Sequence, residues 1–170
     1  MNPEGILATF ALPLMNQLKK SQRLLALDAI QDPGNMGTLL RTCLALGWDG
    51  CFLLPGCTDP FSDKALRAAK GATFFLPLVT GSWDDLFTFS KANRLRLLLA
   101  DVAGKSVASF SLDEPLCLVM GNESKGISEN VKDLFEHISI PMSGAMQSLN
   151  VSSAAAILLH LLRGKYDTRR

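Results

Sequence analysis

Ile140-Pro141-Met142-Ser143-Gly144-Ala145-Met146-Gln147-Ser148-Leu149-Asn150-Val151-Ser152-Ser153-Ala154-Ala155-Ala156-Ile157 joins the end of an apolar strand to an almost wholly apolar helix. Pro141 ends the strand, Gly144 loosens the loop, and Gln147, Ser148 and Asn150 gather polar groups just before the helix begins. Such a junction places backbone N–H groups and small polar side chains at a helix N-terminus, beside the C-terminal edge of a sheet. Open α/β folds bind ligands at that edge. The spacing therefore predicts a pocket wall here, with the rest of the chain supplying the other walls.

Outward from this stretch, apolar runs alternate with helical patterns. Residues 24–30 form a continuous apolar run suited to a buried parallel strand. Gln31-Asp32-Pro33-Gly34-Asn35 makes a turn, with Asp32 or Asn35 as cap. A helix over 36–46 follows, with Leu39, Leu40 and Cys43 on its apolar stripe and Gly47 as its stop. Further strands are expected at 51–55, 74–79 (an edge, given Pro77), 95–102, 115–120 and 137–140. Helices are expected from Ser62 to Lys70, from Ser82 to about Lys91, from Ser128 to about Glu136, and over 151–163. Residues 103–114 read as a polar loop, and 5–12 as an additional first strand. The alternation predicts an α/β fold: a mainly parallel sheet with helices on both faces.

Composition bounds the function classes. The 170 residues suffice for one compact domain, and neither a repeat nor a linker divides them, so 1–170 reads as a single domain. Apolar residues make up 48% and charged residues 19%, which describes a globular chain. A net charge of +1 argues against holding nucleic acid by bulk electrostatics, though a local basic patch remains open. Cys43, Cys51, Cys57 and Cys117 show neither C-x-x-C spacing nor a neighbouring His. They suggest buried thiols in a reducing, cytoplasmic compartment, with an organellar one left open, and no metal. No apolar run reaches membrane-spanning length, so no membrane is expected.

Three loops at the predicted C-terminal edge are rich in Gly and small polar residues: 32–41, 121–126 and 143–152. None carries a G-x-G-x-x-G or a phosphate-loop signature, and no nucleophile elbow is present. The residues alone thus lead to a pocket for a small polar ligand, lined by Asn35, Arg41, Glu123, Ser148 and Asn150. They do not name a reaction.

Pro33-Gly34-Asn35-Met36-Gly37-Thr38-Leu39-Leu40-Arg41-Thr42 resembles the first signature of the SpoU/TrmH-type RNA 2′-O-ribose methyltransferases of the SPOUT class. Leu118-Val119-Met120-Gly121-Asn122-Glu123-Ser124-Lys125-Gly126-Ile127-Ser128 is similar to the second, and 140–157 to the third. The resemblance spans roughly residues 25–162, in order. Ser124, where a second Gly is common, and Lys70, where a small polar residue is common, depart from the pattern. The resemblance implies S-adenosyl-L-methionine (AdoMet) as cofactor, a tRNA or rRNA substrate, a homodimer, and a C-terminal trefoil knot. General topology disfavours threading, so the knot enters on the resemblance alone. Family members often carry an upstream RNA-binding domain, and Pro3-Glu4-Gly5-Ile6 resembles the junction that follows it.

By the same resemblance, Arg41, Asn35, Glu123, Ser148 and Asn150 form the catalytic set. Gly121, Ile140, Leu149, Ser148 and, more weakly, Ala100 contact the cofactor. Each residue also has a structural reading: Asn35, Ser148 and Asn150 as helix caps, Arg41 as a solvated helix residue, and Glu123 as a surface carboxylate. Gly121 would then be a turn residue, and Ile140 and Leu149 core residues. A guanidinium is a poor base, so Arg41 is expected to orient phosphate and stabilise charge. His137 and His160 receive no role. Lys64, Arg67 and Lys70 are candidates for RNA-backbone contact. The competing readings are a non-catalytic RNA-binding or assembly factor that keeps the fold, and an unrelated nucleotide-binding domain.

Overall fold

β1, Arg23–Leu27, is the strand about which the sheet is built. Leu24, Leu25, Ala26 and Leu27 are all fully buried, because both faces of a parallel strand are covered by helices. In this computed structural model, which describes residues 11–12, 18, 20–110, 114–121, 129–144 and 146–163, β1 is followed by α1 (Pro33–Ala45) and β2 (Gly50–Leu53). Next come α2 (Asp63–Ala69), β3 (Leu78–Thr80), α3 (Trp83–Asn93) and β4 (Arg96–Ser106). The remaining elements are β5 (Leu116–Met120), α4 (Glu129–Lys132), β6 (Glu136–Ser139) and α5 (Val151–Leu162).

The described strands form one sheet in the order β3-β2-β1-β5-β4-β6, and every pairing is parallel. Alternate residues of β1 face opposite layers. Leu25 and Leu27 join Met36, Leu39 and Leu40 of α1 and Leu158 of α5. Leu24 and Ala26 join Leu86 of α3 and Phe135 on the other face. The α5 layer is also tied by polar bonds to its backbone carbonyls. Trp48 Nε1 donates to Leu159 O at 3.1 Å, and Arg23 Nε donates to Leu162 O at 2.9 Å.

Several boundaries differ from the sequence expectations, for physical reasons. β1 stops at Leu27 because Ala29 takes φ +51°, which turns the chain out of the sheet. The strand expected over 74–79 begins only at Leu78, after a 3₁₀ turn at Ala72–Phe74. It does lie at the sheet edge, where Pro77 removes no needed donor; its carbonyl accepts from Cys51 N at 2.9 Å. The helix expected from Ser128 is short in the described residues, Glu129–Lys132. The first strand expected over 5–12 lies largely outside the described residues.

The largest correction concerns 103–106, read from sequence as loop. β4 continues through Ser106 and pairs with β6 twice: Leu98, Leu99 and Ala100 with Glu136, His137 and Ile138, then Lys105 and Ser106 with Ile138 and Ser139. The register shifts between Ala100 and Lys105, so 101–104 bulges past Ile138. Gly104 is needed there, since a Cβ would lie 2.6 Å from the His137 carbonyl carbon. Polarity concealed this strand: after the exposed Val102 and Ala103 it continues through Gly104, Lys105 and Ser106.

Candidate active site

At the C-terminal edge of β4, β5 and β6, a cavity of about 300 Å³ opens between the sheet and α5. Its apolar wall comes from Leu99, Ala100, Met120, Ile138, Ile140 and Leu158. Gly121 ends β5 at the cavity, and Ser148 and Leu149 approach from the loop before α5. Ala100, Gly121, Ile140, Ser148 and Leu149, the five residues singled out for the cofactor, therefore line a single space. The volume lies at the lower end of the usual range for small-molecule sites, and a mainly apolar lining with a few polar groups is the usual chemistry of such sites.

A second cluster joins the β1–α1 turn to the start of α5. Asp32 caps α1, accepting from Asn35 N at 2.8 Å. The Lys64 ammonium bonded to it, followed by the Asn35 N–H, holds the Asp32 carboxyl below the usual carboxylate range. Of the two caps that the sequence allowed, Asp32 does the capping. The Asn35 side chain is thereby left to act elsewhere, and its Oδ1 accepts from Asn150 Nδ2 at 3.3 Å and from Ser152 Oγ at 3.2 Å. Asn150 is the N-cap of α5, its Oδ1 accepting from Ser152 N at 2.9 Å. Two catalytic candidates thus meet directly, and the cap reading of Asn150 holds while its other end reaches Asn35.

Arg41 is placed differently. It is exposed on α1 and lines a shallow groove with Thr38, Thr42 and Ala45, facing Ala156 and His160 of α5. It is not among the residues that line the cavity. Glu123 lies outside the described residues.

Sequence reasoning passed over several residues of this region. Ser152 bonds Asn35 but reads in sequence as one more small residue of an apolar helix. Asp101 and Lys132 line the cavity, and His137 bonds both: Nδ1 stands 3.0 Å from Asp101 Oδ2 and Nε2 3.1 Å from Lys132 O. Asp101 had a usable signal, a carboxylate directly after the apolar run 97–100. The Ala103 amide, bonded to Oδ1 at 2.9 Å, and then the His137 ring hold this carboxyl below the usual range. Among the described residues no group of His, Cys, Asp or Glu is arranged to hold a metal ion, and no helix is long and apolar enough to cross a membrane.

The chain is 34% identical over 164 residues to the 23S rRNA (guanosine(2553)-2′-O)-methyltransferase RlmP of Bacillus subtilis, covering 95% of this chain and 66% of that protein. It is 37% identical over 138 residues to the 23S rRNA (adenosine(1067)-2′-O)-methyltransferase of Streptomyces laurentii, covering 79% of this chain and 51% of the relative. The crystal structure of the SpoU methyltransferase AviRb from Streptomyces viridochromogenes in complex with AdoMet superposes with a TM-score of 0.78 at 30% identity, over 84% of this chain and 60% of that one. The chain spans less than two thirds of the length of each of these proteins. Residues 22–160 match the SpoU rRNA Methylase family, and the chain belongs to that family.

Proposed function

We propose that this chain carries the catalytic domain of an AdoMet-dependent methyltransferase that modifies a ribose 2′-hydroxyl in structured tRNA or rRNA. The observation that carries the reading is the junction of two sites. A largely apolar cavity fit for a nucleoside opens beside the Asn35–Asn150–Ser152 cluster. The lining suits the cofactor: Ala100, Ile140 and Leu149 offer apolar contact to adenine, and Gly121 offers backbone groups without a side chain in the way.

When bound, the cofactor supplies an electrophilic sulfonium methyl group whose departure leaves a neutral thioether. No metal is therefore needed to stabilise a leaving group, and the work left to the protein is positioning. Asn35 and Asn150, tied to each other, hold the start of α5 against the β1–α1 turn and fix the polar edge of the site. Ser148 presents a hydroxyl at the cavity itself. Arg41 binds and orients a phosphate of the target nucleotide and offsets negative charge there.

Arg41 stands outside the cavity of its own chain, which supports a homodimer in which Arg41 of one subunit meets the cofactor held by the other. Ile157 and Leu161, one turn apart on α5 and 38% and 44% exposed, supply apolar surface for such an interface. The threaded C-terminal knot is part of this reading on the strength of the family match. The four free thiols suit a reducing, cytoplasmic setting.

Calorimetry with AdoMet, together with mapping of 2′-O-methyl positions in RNA from cells with and without the gene, tests the reaction. RNA binding without AdoMet binding would instead mark a non-catalytic assembly factor. Mixed dimers of an Arg41→Ala chain and a chain defective in AdoMet binding test the shared site. Recovery of activity supports it, and complete inactivity counts against it.

A further inference from the structure

We propose that Asp101 is a cofactor-contact residue that accepts the ribose 2′- and 3′-hydroxyls of the adenosyl group, and that His137 is the positioning residue that aims it. The inference rests on the functional reading above and adds a polar contact on the ribose side of the cavity, from residues to which neither the motifs nor the family signatures assign a role.

Asp101 lies on β4 immediately after Ala100, and both line the cavity. The apolar wall around Ala100 suits the adenine ring, and the ribose is the first polar group attached to that ring. A carboxylate one residue beyond the wall is where a vicinal diol would meet it. Carboxylates recognise ribose hydroxyls in other nucleotide sites for the same reason: two O–H donors meet two acceptor oxygens.

The side chain is built to stay in place. Oδ1 accepts from Ala103 N at 2.9 Å, and Oδ2 lies 3.0 Å from His137 Nδ1. Each oxygen retains acceptor capacity after its one bond. The other ring nitrogen of His137 faces the carbonyl of Lys132 at 3.1 Å. Both partners of the ring are acceptors, and with its proton on Nδ1 the ring donates to Asp101 while Nε2 stands beside the Lys132 carbonyl. The depressed carboxyl of Asp101 keeps it ionised, and thus a pure acceptor, at neutral pH. The ring thereby fastens β4 to the end of α4 across β6, at the point where the sheet register shifts.

Lys132 on the same wall offers the rival arrangement, in which Asp101 and Lys132 hold the ammonium and carboxylate of the methionine tail. Calorimetry on the full chain with two probes separates them: S-adenosylhomocysteine, which has both diol and tail, and 5′-methylthioadenosine, which has the diol alone. Asp101→Asn is expected to weaken both by the same factor, roughly ten- to hundredfold. His137→Gln is expected to weaken both less, and to add no further loss in the Asp101→Asn background, because it acts through that carboxylate. A purely structural role for His137 would give additive losses and a matching fall in thermal stability. Unchanged affinity in Asp101→Asn, or a loss seen with S-adenosylhomocysteine and absent with 5′-methylthioadenosine, overturns the proposal. If the unmodified chain binds neither probe, the functional reading itself fails and this inference with it.

Discussion

Asn150 Nδ2 donates to Asn35 Oδ1 at 3.3 Å while Asn150 Oδ1 caps α5 through Ser152 N at 2.9 Å. One side chain therefore performs two tasks with its two ends, and substitutions can separate them. Asn150→Asp keeps an acceptor for the cap, favoured by the helix dipole, and removes the donor to Asn35. It should retain thermal stability close to that of the unmodified chain and lose methyl transfer. Asn150→Ala loses both bonds, and denaturant unfolding should show a cost of about 1 kcal/mol.

Arg41 is exposed on α1 with no described contact in the cavity. Arg41→Ala should leave the unfolding free energy within about 0.5 kcal/mol of the unmodified chain. Labelled methyl transfer to RNA should fall about a hundredfold or more, as expected on removing a group that stabilises charge in the reaction. AdoMet affinity measured by calorimetry should stay unchanged. A large loss of cofactor affinity would count against the proposed role of Arg41 on the RNA side.

Gly37 is where α1 and α2 touch. A Cβ at this position would lie 2.2 Å from Ala65 O and 2.7 Å from Ala68 Cβ. Backbone cannot yield as a flexible side chain does, so Gly37→Ala should force the two helices apart. The expected loss is about 1–3 kcal/mol, read by urea unfolding, despite the better helix propensity of alanine.

The Asp101 carboxyl titrates below its ordinary value in the folded protein, chiefly through the Ala103 amide and then His137. Because the folded value is the lower one, the stabilisation is fully present above the unfolded value near 3.9 and is lost as pH falls through the folded value. The stability gap between the unmodified chain and Asp101→Asn should therefore be constant from about pH 7 to 5 and shrink toward pH 2. A gap that widens on acidification would show that the contacts of Asp101 differ from those described.

Burial raises the thiols of Cys43, Cys51 and Cys117, and to a lesser extent that of half-buried Cys57. Thiolate-selective reagents should therefore label the native protein slowly, at Cys57 first, with the other three reacting only on unfolding. Mass mapping of the labelled sites gives the order directly.

The elements were largely legible because their signals are local. The buried run at 24–27, the Ser82 capping box with Asp85 and the Asn150 cap each depend on residues within a few positions of one another. The second half of β4 was not legible, because glycine, lysine and serine at 104–106 read as loop and are held in a strand only by pairing with β6. The five cofactor candidates lie at strand ends and in one loop, so their gathering followed from parallel topology once the alternation was read. Ser152 and Asp101 escaped, since their partners are distant in sequence.

By itself the sequence determined most of the segments that become strands and helices, and that three polar loops follow apolar strands. Burial pattern, capping and turn chemistry act over a few residues and need no knowledge of the rest of the chain. Only the tertiary structure decided which polar groups meet. Asn35 and Asn150 bond across 115 residues and Asp101 and His137 across 36. Arg41 was turned away from the cavity by its position on α1. Such contacts depend on the strand order β1-β5-β4-β6 and on the register shift between Ala100 and Lys105. Both are set by the packing of the whole sheet against its helices, which no local pattern encodes.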